Sequence, residues 1–219
     1  MDVRCARLAH QPSSEGGLIL TLSQREYEAF KKLVDDPSAK HELDCRPYLE
    51  HADHLLVRRP LRNTTRFVEI RSYVGDADLV VVAEITNDNR QPETWAYFWE
   101  LKAPQCFLFE YDDNQNRCRP TPDLVKAENQ LLHYVDEAVA NENTRKRLGV
   151  MDSKNIRPGG IIIGTTKTLL RAPRSSHDVS KASTALQLRR ERLYRAEDIR
   201  VVTWDLVLDE VKPRAVIQP

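Results

Sequence analysis

The sequence predicts an α/β protein with a mixed central β-sheet flanked by helices, and three observations support this class. Two strand-like segments, Leu79–Ile85 and Thr94–Lys102, flank a turn-rich interruption and predict an antiparallel hairpin. A long amphipathic helix pattern follows this hairpin. Strand-like and helical segments then alternate to the end of the chain, as in sheets that also contain parallel strands.

Before the hairpin, the sequence predicts an irregular lead, two helical segments and one strand. Ser23 is a favourable N-cap for a helix that extends to Pro37. Ser38 opens a second candidate helix, which Pro47 kinks or divides because proline lacks a backbone N–H. From Thr65 the apolar spacing changes from helical to strand-like.

After the hairpin, the sequence predicts a further strand over Cys106–Tyr111 and a loop over Asp112–Pro120. Thr121 then caps a long helix with Pro122 at its first position, and this helix ends before Gly149. The apolar residues of that helix recur at helical spacing and form one face, which consists of Leu124, Ala127, Leu131, Val135 and Ala138.

The last third of the chain is predicted to contain two strands, one basic helix and a closing helical turn. The strands are Gly160–Thr165 and Ile199–Trp204. A polar loop extends to about Lys181, the basic helix covers Ala182–Ala196, and the helical turn covers Asp205–Val211.

The composition is that of one globular protein of 219 residues with 41% hydrophobic side chains. We expect residues 1–37 to form a lead and helix, and residues 38–219 to form one compact domain. No apolar run approaches the ~20 residues of a membrane helix, and Met1–Arg7 lacks the apolar core of a signal peptide. A cytoplasmic protein is therefore expected. The four cysteines form no Cys-x-x-Cys pair, which favours free thiols.

The formal net charge of zero is the sum of two opposed blocks. Residues 76–143 carry 5 basic and 14 acidic side chains, whereas residues 144–200 carry 14 basic and 5 acidic ones. An acidic block beside a basic block suggests a cation site near a surface that binds anions.

An acid-x-Lys triplet occurs three times, and only one copy has a strand context. Glu100-Leu101-Lys102 ends an apolar strand, so the Glu100 and Lys102 side chains leave the same face. The triplets that begin at Asp152 and Glu210 lie in a loop and in the C-terminal tail, and they are interpreted as solvated surface.

Asp78 stands at the mouth of the preceding strand, where the hairpin can bring it to Glu100. Two carboxylates held this close repel unless a cation lies between them, and oxygen ligands suit Mg²⁺ or Mn²⁺. The carbonyl of Leu101 could supply a third oxygen. Lys102 could then position the attacking water and neutralise charge on a phosphate, as in phosphodiester hydrolysis. The alternative is an ordinary ion pair of Lys102 with these acids.

These residues resemble the PD-(D/E)xK nuclease superfamily, with Asp78 as the first acid and Glu100-Leu101-Lys102 as the second half of the motif. Gln130 and Tyr134 resemble the Gln-x-x-x-Tyr element of the RecB-like branch, which implies that Gln130 points to the active site. The resemblance implies a restriction-endonuclease-like core. Asp78 follows Ala77 where many members have proline, a departure common enough to leave the assignment of Asp78 standing. Asp76 remains a competitor for the role of first acid. Glu42 is an optional further acid, although a solvated helix glutamate explains it equally well.

Within the superfamily, the chain is most similar to the nuclease domain of Shedu-type antiphage defence proteins, over about residues 38–210. The similarity includes Trp99–Pro104, Ile161–Gly164 and Ile199–Leu206. It implies a Mg²⁺-dependent deoxyribonuclease that assembles as a homo-oligomer. Two alternatives stay open: a nuclease-like DNA-binding or assembly module without activity, and a restriction or repair nuclease of the same superfamily.

The basic residues fit phosphate contacts with DNA better than catalysis, because such contacts hold a duplex without reading its sequence. Solvated surface is the alternative for any single arginine. The predicted set comprises Arg58, Arg59, Arg62, Arg66, Arg71, Arg145–Arg147, Lys167, Arg171, Arg174, Lys181, Arg189, Arg190, Arg192 and Arg195.

Overall fold

The structure, a computed structural model, describes residues 22–57, 61–72 and 75–213. Seven strands are present in this part of the chain. They are β1 Leu61–Ser72, β2 Gly75–Thr86, β3 Pro92–Leu101, β4 Phe109–Asp112, β5 Arg117–Pro120, β6 Ile156–Ile162 and β7 Arg200–Val202.

Seven α-helices and three short segments of other helical type accompany the strands. The helices are α1 Gln24–Asp35, α2 Glu42–Cys45, α3 Asp53–Leu56, α4 Pro122–Ala140, α5 Glu142–Leu148, α6 Ser176–Arg189 and α7 Trp204–Glu210. The 3-10 turns cover Arg46–His51 and Ser153–Asn155, and a π-helical turn covers Arg190–Tyr194.

The central sheet has five strands in the order β1-β2-β3-β6-β7. β1, β2 and β3 are antiparallel, whereas β3, β6 and β7 are parallel. The predicted α/β class, mixed sheet and hairpin are therefore confirmed. In the hairpin register, Leu79 pairs with Trp99. The open end of the hairpin lies just beyond this pair, at Asp78 and Glu100.

Each face of the sheet packs on its own apolar cluster because strand side chains alternate between faces. On one face, Val80, Val82, Ala96 and Phe98 pack with α4 and α6. On the other face, the alternate strand residues pack with α1, α3 and α7. The buried side chains of this second cluster include Leu79, Val81, Tyr97, Trp99, Phe30, Leu56, Trp204 and Val207.

The predicted helix boundaries at Ser23 and Thr121 are confirmed by their capping contacts. Ser23 forms a capping box with Glu26, and the Thr121 side chain accepts a hydrogen bond from the Leu124 N–H. The second predicted helix is divided, as Pro47 suggested. It consists of α2, a 3-10 turn that contains Pro47, and α3.

Other boundaries were wrong. The predicted loop Asp112–Pro120 contains β5, which pairs with β4 in a separate two-stranded sheet. The long helix ends at Ala140, because Asn141 turns the chain and caps α5. The basic helix begins earlier than expected, at Ser176, since Ser175 supplies the N-cap.

The sixth strand covers Ile156–Ile162, so it begins and ends earlier than the predicted Gly160–Thr165, and its glycines are required by close packing. A Cβ on Gly159 would stand 2.2 Å from Nε1 of Trp99, and one on Gly160 would stand 2.2 Å from the carbonyl oxygen of Arg200. The glycines thus let β6 pass closely between β3 and β7. The register shifts where Pro158 faces Phe98, as expected for a residue without an N–H.

Within the described ranges, no helix is long and apolar enough to cross a membrane. Cys45 and Cys106 are buried free thiols, and Cys118 is a partly buried one. Cys5 and the polar lead lie outside the described residues. The division at residue 38 stays a prediction, although Phe30 of α1 packs against Trp204 in the core.

Candidate active site

The predicted acids meet at the open end of the β2–β3 hairpin. Asp78 and Glu100 each lie one residue beyond the paired Leu79 and Trp99. An Oδ2 atom of Asp78 accepts a hydrogen bond from the backbone N–H of Leu101 at 2.9 Å. The first acid is therefore attached to the strand that carries the second.

Glu100 is a buried carboxylate with an incomplete set of partners. Its side chain is 1% exposed, and its buried Oε2 atom has no hydrogen-bond partner among the residues that the structure describes. Burial raises the pKa of Glu100 to about 8, and the negative charge of Asp78 adds to this effect, which Lys102 partly offsets. The group would be held ionised more readily if a further positive charge lay beside it.

Lys102 contacts both a predicted acid and the predicted amide. Its ammonium donates to Oε1 of Glu100 and, at 3.3 Å, to Oε1 of Gln130. Burial lowers the pKa of Lys102, but Glu100 and the nearby acids outweigh burial and raise the pKa above its usual value. Its backbone is also held, since its N–H donates to the Ile162 carbonyl at 2.8 Å.

Gln130 lies on α4 with its amide oriented by two contacts. Its Oε1 accepts from Lys102, and its Nε2 donates to the Tyr134 hydroxyl at 3.2 Å. Tyr134 is 3% exposed, and burial, followed by the charge of Glu100, raises its pKa. The structure thus brings Asp78, Glu100, Lys102 and Gln130 together, with Tyr134 behind Gln130.

The donor set fits a hard divalent cation with an incomplete protein shell. Asp78 and Glu100 supply carboxylate oxygens, and Leu101 is the predicted carbonyl donor. In the described part of the chain, no group of three His, Cys, Asp or Glu side chains could hold a metal ion by itself. Mg²⁺ is compatible with two protein carboxylates because it retains several waters and binds substrate phosphate. The unpartnered oxygen of Glu100 is consistent with such a ligand.

Glu42 lies near the same acids, at the first position of α2. Burial raises its pKa, and the charge of Asp78 raises it further, while Lys102 acts in the opposite direction. Its carboxylate therefore adds negative potential to the site. The competing acid Asp76 is paired in register with Arg71 on β1, and the described part of the structure does not include its side chain.

Gln105 is a site-adjacent residue that sequence reasoning missed. Its Nε2 donates to the carbonyls of Leu33 and Asp36 at 3.1 and 2.7 Å, and its Oε1 accepts from the N–H of His41 at 3.2 Å. These contacts fix the connection that precedes Glu42. No sequence pattern reports them, because the partners are backbone groups more than sixty residues earlier in the chain.

Several predicted phosphate contacts are ion-paired within the protein. Lys167 pairs with Asp35 at 2.6 Å and Arg174 pairs with Asp113 at 2.6 Å. Arg192 and Arg195 are exposed. Arg58 and Arg59 lie outside the described residues, and the side chains of the β1 arginines Arg62, Arg66 and Arg71 are not described. Phosphate binding by the basic segment stays a prediction.

Of the two other acid-x-Lys triplets, the one at Asp152 has the surface character expected of it, whereas Glu210 is the half-buried last residue of α7 and not part of a solvated tail. Asp152 caps the short 3-10 turn and pairs with Lys154 at 3.0 Å, with both side chains largely exposed. Lys212 is exposed after the end of α7. Neither triplet has the buried strand setting of Glu100.

Comparison with known families gives one match. The family described as Shedu protein SduA, C-terminal, matches residues 39–208, which is more than half of the chain and includes all four predicted site residues. No protein of curated function matches the chain.

Proposed function

Because the chain belongs to the Shedu SduA C-terminal family, we propose that it is a metal-dependent DNA endonuclease of antiphage defence. The proposed reaction is phosphodiester hydrolysis, with the PD-(D/E)xK residues Asp78, Glu100 and Lys102 as the catalytic set. Gln130 completes the site by holding Lys102.

The observation that carries this proposal is the buried Glu100 carboxylate between Asp78 and Lys102. A buried acid with one unpartnered oxygen and a second acid beside it is costly for a fold. Such arrangements concentrate at functional sites, where ionisable groups are held for chemistry. The end of β3, which carries Glu100, and helix α4, which carries Gln130, bring this group of residues together although they are distant in sequence.

Asp78, Glu100 and the Leu101 carbonyl would hold Mg²⁺, with Mn²⁺ as a possible substitute. When bound, the cation supplies positive charge at the reacting phosphate and lowers the pKa of water, which are the two contributions that phosphodiester hydrolysis requires. Lys102 would orient the attacking water and offset the charge that develops on the phosphate. Gln130 would keep the Lys102 ammonium at this position, since it contacts that ammonium directly.

The substrate is proposed to be DNA, held through its phosphates by exposed basic residues of the segment 144–200 other than Lys154, which pairs with Asp152. Arg192 and Arg195 are exposed there, after the end of α6. Contacts of this kind release counterions, so binding should weaken steeply with salt. A homo-oligomer in the cytoplasm is part of the same proposal.

The direct test incubates the purified protein with supercoiled plasmid and linear DNA in Mg²⁺, in Mn²⁺ and in EDTA. We expect nicked or linear products with the metals and none in EDTA. Salt-dependent DNA binding in EDTA should accompany this cleavage. Binding without cleavage across the metals and substrates would instead favour a DNA-binding or assembly module.

A further inference from the structure

A second, partly buried polar cluster joins α4 to the end of α6. The Arg189 guanidinium donates from Nη2 to both carboxylate oxygens of Glu128, at 2.5 and 2.8 Å, and from Nε to Oε1 at 3.2 Å. The Tyr194 hydroxyl donates to the same Oε1 and accepts from Arg189 Nε at 3.0 Å. The three side chains form a closed network.

The network is withdrawn from water. The Arg189 and Glu128 side chains are 21% and 15% exposed, and Tyr194 is 3% exposed. Bidentate contacts of this kind fix orientation as well as charge. Burial, and then the hydrogen bond to Glu128, raises the pKa of Tyr194, so its hydroxyl stays a donor at neutral pH.

The backbone that carries Arg189 and Tyr194 changes helical type between these two residues. Arg189 is the last residue of α6, and the π-helical turn Arg190–Tyr194 follows it directly. Turns of this type are uncommon and are frequently found at functional sites. Here the turn returns Tyr194 to Arg189, with the guanidinium carbon 5.7 Å from the ring centre.

Glu128 stands two residues before Gln130 on α4. Residues two apart project about 200° from each other around a helix, so one side chain reaches α6 while the other reaches Lys102. The same short segment of α4 therefore connects the basic helix to the proposed catalytic lysine.

We propose that Arg189 is a positioning residue, which holds the basic helix α6 in a fixed orientation on α4 and does not contact phosphate. The role rests on the proposed nuclease function, in which the exposed cations after α6 hold DNA while Gln130 and Lys102 act on it. A misplacement of about 1 Å between a bound substrate and the catalytic groups can cost about 100-fold in rate.

The test compares R189Q, R189K and the charge-swapped double variant E128R/R189E. K154Q is the matched control, since it also removes one cation from an ion pair, but from the exposed pair with Asp152. Steady-state cleavage at saturating DNA gives kcat, and binding in EDTA at several salt concentrations gives the salt dependence. Unfolding midpoints identify a temperature at which every variant is folded.

We expect R189Q to lower kcat by about 30-fold and to leave the salt dependence of DNA binding unchanged. R189K should retain part of kcat, the double variant should recover part of the R189Q loss, and K154Q should match wild type. Normal kcat in folded R189Q would overturn the positioning role, even if its unfolding midpoint fell. A salt slope reduced by about one unit would instead assign Arg189 to phosphate contact. Absence of cleavage by wild type would overturn the proposed function and the positioning role with it.

Discussion

The carboxylate of Asp78 accepts a hydrogen bond from the backbone N–H of Leu101 at 2.9 Å, which attaches the first acid to the strand that carries the second. The competitor Asp76 is paired in register with Arg71 on β1. We therefore expect D78N to lower metal-dependent DNA cleavage by about 1000-fold, equivalent to roughly 4 kcal/mol of barrier.

D76N is the matched control for that prediction, because it makes the same change two residues earlier on β2. It should cleave DNA within a few-fold of wild type. Plasmid cleavage by both proteins, with folding checked by circular dichroism, distinguishes the two acids. Activity retained in D78N and lost in D76N would transfer the first-acid role to Asp76.

Metal binding at Glu100 should be visible as stabilisation without any DNA. A ligand at about 100 times its dissociation constant stabilises the native state by roughly 2.7 kcal/mol, which is on the order of 5–10 °C in the unfolding midpoint of a chain of this size. Mn²⁺ should therefore raise the midpoint of wild type, measured by scanning calorimetry in a metal-free background.

E100Q should lose this stabilisation, because a neutral amide removes the charge that attracts the cation. E142Q is the control, since Glu142 carries the same side chain on the surface in an exposed pair with Lys146. It should keep the full rise. An equal Mn²⁺ effect in E100Q would show that the cation binds elsewhere.

The sequence predicted the parts of this site that depend on local pattern. Strand alternation predicted that Glu100 and Lys102 share a face, and the hairpin predicted that Asp78 lies nearby. That Gln130 points to the active site was expected only from family resemblance, because no periodicity reports which helix face meets a strand end. The Glu128–Arg189 pair was missed, since its members are 61 residues apart and Arg189 was interpreted as one cation of a basic surface.

The predicted helix and strand boundaries were likewise correct where local contacts set them and wrong where contacts between distant residues set them. Caps at Ser23 and Thr121 act within four residues, so their side-chain chemistry predicted helix starts correctly. The strand predicted over Gly160–Thr165 instead covers Ile156–Ile162, and close contact of Gly159 and Gly160 with Trp99 and Arg200 requires their lack of a Cβ. Local chemistry is readable from sequence, but close approach between distant strands is not.

Replacement of Lys102 should separate catalysis from folding. In K102A the Glu100 carboxyl loses its cationic partner, so its pKa, already raised to about 8, should rise further and the group should stay protonated to higher pH. We expect a folded protein that binds DNA in EDTA but cleaves at least about 1000-fold more slowly. Cleavage at the wild-type rate by folded K102A would remove Lys102 from the catalytic set, while K154A provides the surface-lysine control.

The Tyr134 hydroxyl should act through the orientation of Gln130. It accepts from Nε2 of Gln130, which leaves Oε1 facing the Lys102 ammonium. In Y134F this preference is lost, and the amide can turn its NH₂ group toward the lysine. Single-turnover rates should fall roughly tenfold in Y134F and up to about 100-fold in Q130A, with unchanged salt dependence of binding. A larger loss in Y134F than in Q130A would contradict action through Gln130.

His41 should stay protonated to higher pH than an ordinary histidine, because its pKa is raised. Its Nδ1 lies 3.0 Å from Asp44 and its Nε2 lies 3.2 Å from Asp36. The hydrogen bond to Asp44 is the largest cause of its raised pKa, with Asp36 adding to it against the effect of burial. The His41 ring should therefore titrate above 6.5 by NMR, and D44N should lower that midpoint.

The sign of the stability effect follows from the raised pKa. A cation with a higher pKa in the folded state contributes stability that is fully present below pH 6.5 and is lost as pH rises through the folded value. D44N should thus be less stable than wild type at pH 5.5 in urea denaturation, and the difference should shrink toward zero at pH 9. A difference that is constant across this range would mean that Asp44 stabilises the fold by a contact other than the one with protonated His41.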